Sequence, residues 1–121
     1  MQQAANAYSK TSKITMPPRQ LEASLLIKSA ILLQDLKDNW EPSKQELLTA
    51  LRYNRRLWTV FISSVAKPDN PLPLGIKNKV ASIGAFILSH TIEVEMEPAP
   101  EKLVTLININ KEIAAGLRST A

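Results

Sequence analysis

His90 is the only histidine of the chain, with Thr91 and Glu93 beside it and Glu95 and Glu97 following at alternate positions. An imidazole next to a carboxylate is a pairing that moves protons, and several carboxylates together can hold a hard cation. The spacing speaks against both. Residues two apart on a helix point away from each other by roughly 200°, so Glu93, Glu95 and Glu97 scatter around the axis. They read as a solvated helix end, and His90 reads as a surface or capped residue rather than a general base. Gly75, Gly84 and Gly116 lie too far apart for a phosphate-binding loop. With no cysteine, thiolate nucleophiles, disulfides and cysteine-based zinc sites are excluded. The sequence therefore predicts no catalytic residue, no metal and no cofactor.

The basic residues offer a second chemistry. Arg52, Arg55 and Arg56, with Lys44 nearby in sequence, are the densest cationic group, of the type that contacts phosphates. A polar helix face opposite an apolar one accounts for them equally well. The 15 Lys+Arg and 11 Asp+Glu leave a net charge of +4, short of the clustered excess of a dedicated nucleic-acid binder. Nucleic acid is not expected as a direct ligand.

The elements that carry these residues are delimited by proline. At 121 residues, with 45% hydrophobic and 21% charged, the chain suits one globular domain with one core. Residues 1–16 read as an N-terminal arm, in which Gln2 to Lys10 suits a short helix anchored by Tyr8. Pro17 and Pro18 are well placed to start a first helix, from Arg19 to about Asp38. Ser43, with Glu46 three residues on, has capping-box spacing and opens a second helix to about Ala66. The segment KPDNPLPLG is a loop, because its prolines cannot be helical throughout. A third helix is predicted from Gly75 or Ile76 to Val94, and a fourth from Pro100 and Glu101 to Arg118. No stretch alternates with period two, so the fold class is all-α, a small bundle of about four main helices. The N-terminus has no apolar run typical of a secretory leader, and no 18-residue apolar stretch spans a membrane. A cytoplasmic protein is expected.

Two asparagines interrupt the apolar faces. On the second helix, Leu47, Ala50, Leu51, Tyr53, Leu57, Trp58, Val60, Phe61, Ile62 and Val65 cover an arc of roughly 200°, and Asn54 lies inside it. On the fourth, Leu103, Leu106, Ile107, Ile113, Ala114 and Leu117 form one face with Asn110 at its centre. A buried amide left unpaired costs roughly 1–3 kcal/mol, so both need partners: each other, a freed backbone carbonyl, or water. Both are assigned to a structural polar core that fixes helix register.

An apolar arc this wide has two readings. Either the second helix is the most central and contacted on both sides, or its Tyr53, Leu57 and Val60 flank faces a groove for a partner's apolar helix. Arg56 adds a residue type that anchors interfaces beside Tyr53 and Trp58. Trp58 and Phe61 are assigned to the core.

The segments LEASLL, ALRYNRRLW, NPLP and LININKEIAAGL resemble the FlaF proteins of alphaproteobacterial flagellar biosynthesis, over Tyr8 to Leu117. The resemblance implies a non-enzymatic cytoplasmic regulator of flagellin production, similar to a flagellin secretion chaperone. It implies flagellin as a partner and FlbT, a regulator of flagellin messenger RNA, as a further one. The implied alternative is an RNA-associated post-transcriptional regulator acting with FlbT.

Overall fold

A computed structural model describes residues 18–41 and 44–119, and the N-terminal arm and Ser43 lie outside the described residues. Four helices follow in order: α1 Pro18–Asp38, α2 Lys44–Val65, α3 Leu74–Met96 and α4 Pro100–Ser119. Among the described residues there is no strand. The fold is all-α, as the periodicity predicts. α3 is longer than expected at both ends. Pro73, with an extended ψ of 144°, serves as its N-cap, and the amides of Ile76 and Lys77 both donate to the Pro73 carbonyl.

Proline and asparagine shape the connections. In the α2–α3 loop, Asn70 donates through Nδ2 to the Ser64 carbonyl at 3.1 Å, and its Oδ1 accepts from the Leu72 amide at 3.0 Å. This side-chain turn replaces backbone partners that the prolines remove. It delivers Leu72 into the core. At the α3–α4 turn, the Lys102 ammonium donates to the Glu97 carbonyl at 2.7 Å. His90 closes the same corner, its Nε2 2.8 Å from the Lys102 carbonyl while its ring stacks on Phe86.

α1 and α4 form the most extensive pair, followed by α2 with α3; α2 also packs on α1, and α3 meets α4 over a smaller area. The core of α4 is the predicted face, Leu103, Leu106, Ile107, Ile113, Ala114 and Leu117, with Asn110 among them. α3 buries Val80, Gly84, Ile87, Thr91 and Val94. Their spacing of 4, 3, 4 and 3 is a narrow heptad seam rather than a broad face. Gly84 lets α3 approach α2: a Cβ there would overlap the Ile62 side chain, 2.6 Å from its Cγ1. No described helix is long and apolar enough to cross a membrane.

Candidate partner groove and its polar floor

Three helices meet at one level around the two asparagines. Both are fully buried. Asn110 on α4 donates through Nδ2 to Asn54 Oδ1 on α2 at 2.7 Å and to the Leu26 carbonyl on α1 at 3.2 Å. Asn110 Oδ1 accepts the indole N–H of Trp58 at 2.8 Å. The Ser29 hydroxyl, on α1, donates to Asn54 Oδ1 at 2.8 Å.

The donor inventory sets the direction of this network. An indole N–H can only donate, so Asn110 must turn its oxygen to Trp58 and its amide to Asn54. Asn54 then has to present oxygen. Its own Nδ2 is left without a partner, one of two such buried side-chain atoms among the described residues. The place of both asparagines on apolar helix faces already allows them to pair. Periodicity does not show that Ser29 and Trp58 join them, although a buried tryptophan usually needs an acceptor, and that is the available signal.

This network sits beneath a groove between α1 and α2. Leu26, whose carbonyl binds Asn110, and Phe61, whose ring lies 5.7 Å from that of Trp58, contribute to its lining. Leu21 and Leu25 of α1 line it with Leu57 and Val60 of α2, Glu22 and Ser64 completing the cavity of about 220 Å³. Val60 is 63% exposed and Leu57 is half-buried. The apolar arc of α2 is therefore narrower in its buried part than its composition suggests: Leu47, Ala50, Leu51, Trp58, Phe61 and Val65 are core, as assigned for Trp58 and Phe61.

The other predicted site residues, Tyr53 and Arg56, lie beside this groove and share a second depression with Val60. Tyr53 lies further along the same α1–α2 seam, with the Lys28 ammonium 5.8 Å from its ring centre. Arg56 lies outside that groove, in a neighbouring depression that it lines with Tyr53, Val60, Arg52 and Arg55. None of these three arginines makes an ion pair among the described residues. Lys44 is not part of that group; it lines a cavity at the far end of α2 with Trp40, Glu41 and Glu95. Glu93 and Glu97 are exposed, but Glu95 departs from a solvated helix end, because its Oε1 is enclosed without a hydrogen-bond donor. Among the described residues no three His, Cys, Asp or Glu side chains converge to hold a metal.

Fold and surface define a small all-α protein with a polar-floored groove between two helices. The family model for flagellar protein FlaF matches residues 4–117, and the chain belongs to that family. Comparison with curated proteins and with solved structures returns no match. Membership gives the chain a role in flagellar biosynthesis.

Proposed function

We propose that this protein acts in flagellin production by binding flagellin in the α1–α2 groove, as a secretion chaperone for an unassembled subunit. The observation that carries the reading is the pairing of exposed Val60 and half-buried Leu57 with Leu21 and Leu25 across the seam. An amphipathic helix laid into such a groove buries one side chain per turn, each worth about 1.5–3 kcal/mol when fully removed from water. Segments that stay unfolded before polymerisation suit this mode, because they order on binding and leave reversibly. A cytoplasmic site of action and a direct contact with FlbT belong to the same proposal.

The test is a flagellin pull-down with Val60→Asp, run beside a circular-dichroism melt. Val60 is mostly outside the core, so the melt should stay native while binding is lost. Retained binding by the folded variant sinks the groove. The rival, RNA contact through Arg52, Arg55 and Arg56, separates by salt: phosphate contacts weaken steeply with ionic strength and apolar docking does not.

A further inference from the structure

α3 carries a second heptad seam. Leu74, Ala81, Ala85, Leu88 and Ile92 are spaced 7, 4, 3 and 4 and fall within roughly 60° of one another on the helix. Leu74 is 71% exposed and Ile92 52%; Ala81 and Ala85 are exposed, and Leu88 is half-buried. α3 is the most apolar of the four helices, yet it buries only the narrow seam against α2. A helix apolar on several sides is one that is covered on several sides.

The charges beside this seam identify the cover. Lys77 and Glu95 are 18 residues apart, five full turns, so they share one line along one flank. Neither has an ion-pair partner among the described residues, and Glu95 Oε1 is buried with no donor. Within one helix they stand about 27 Å apart and cannot meet. Across a twofold axis perpendicular to α3 near residue 86, Lys77 of each copy falls opposite Glu95 of the other. Parallel pairing would stack like charges instead. Ala85 lies nearest the axis, where a small side chain lets two helices come close.

We infer that α3 is the interface of an antiparallel homodimer, closed by two Lys77–Glu95 pairs. The surface around Glu95 suits a lysine. A cavity of about 450 Å³ there is walled by Trp40, Leu48 and Met96, which can cover an aliphatic stem while the carboxylate meets the ammonium. Glu41 and Lys44 at the same cavity offset each other in charge. The pairing is isologous, so both contacts form together or not at all. This interface is on a different helix from the α1–α2 groove and stands or falls independently of flagellin binding.

Sedimentation equilibrium on the full chain should show concentration-dependent dimerisation. Lys77→Glu and Glu95→Lys should each weaken it about tenfold, and the two combined in one chain should restore it. The absence of cysteine allows a second readout. Under mild oxidation Ala85→Cys should give a covalent dimer, whereas Leu74→Cys, far from the axis, should not. A chain that stays monomeric at every concentration overturns the inference. So does a charge swap weaker than either single reversal, or cross-linking at Leu74→Cys as efficient as at Ala85→Cys.

Discussion

Asn110 donates one amide proton to Asn54 Oδ1 at 2.7 Å and accepts the Trp58 indole N–H on its own Oδ1 at 2.8 Å, so a single side chain on α4 fixes the orientation of two on α2. Its remaining amide proton reaches the Leu26 carbonyl of α1. Three helices are thereby held in one register. Sliding any of them by a turn would leave buried donors and acceptors unpaired, at roughly 1–3 kcal/mol each.

Asn54→Leu should destabilise the domain by about 1–3 kcal/mol, because it leaves the Ser29 hydroxyl and one Asn110 amide proton without their acceptor. Asn54→Asp should cost more near neutral pH, since it buries a charge. The introduced carboxyl would titrate above its unfolded value. The folded state then binds the extra proton, so the penalty should shrink as pH falls towards about 4. Urea melts of both variants at two pH values check this; a harmless Asn54→Asp would mean that the position is exposed to water rather than buried.

Trp58→Phe keeps most of the packing against Phe61 but removes the one donor to Asn110 Oδ1 among the described residues. A loss of about 1–3 kcal/mol is expected from the orphaned acceptor. If the network is the cause, Trp58→Phe and Asn54→Leu should be non-additive when combined, because they act on one connected set of groups. Simple additivity would place the two effects in separate packing terms.

Gly84 sits where α3 approaches Ile62, whose side chain must shift to admit any bulk there. Gly84→Leu should cost about 1–3 kcal/mol by overpacking, despite leucine's better helix propensity. Gly116, with open space where a Cβ would stand, should accept alanine with a gain of up to about 1 kcal/mol. Thermal melts of the two variants should move in opposite directions.

His90 binds the Lys102 carbonyl and stacks on Phe86, so its replacement should register in stability rather than in function. His90→Ala should lose about 0.5–1.5 kcal/mol, and His90→Gln, which keeps a donor, should lose less. Motility and flagellin export should be unchanged in a folded His90→Gln strain. Loss of export there would give the imidazole a role that its contacts do not suggest.

Helix boundaries and faces were legible in the sequence because both are local. Pro18, Pro73 and Pro100 mark where helices start, and a period of 3.6 tells which way each side chain points from its own axis. Asn54 and Asn110 could therefore be assigned to the core before any neighbour was known. What stands opposite a side chain is not local. That α4 packs chiefly on α1, that Ser29 and Trp58 join the asparagines, and that Arg52, Arg55 and Arg56 lie apart from Lys44 depend on how four axes cross. The flank of α2 shows the difference most clearly. Periodicity put Leu57 and Val60 beside Phe61, but only the placement of α1 left Val60 outside the core and set Leu21 and Leu25 across from it. The exposed second seam of α3 follows the same rule: its spacing is written in the chain, and that no described helix covers it is decided by the packing.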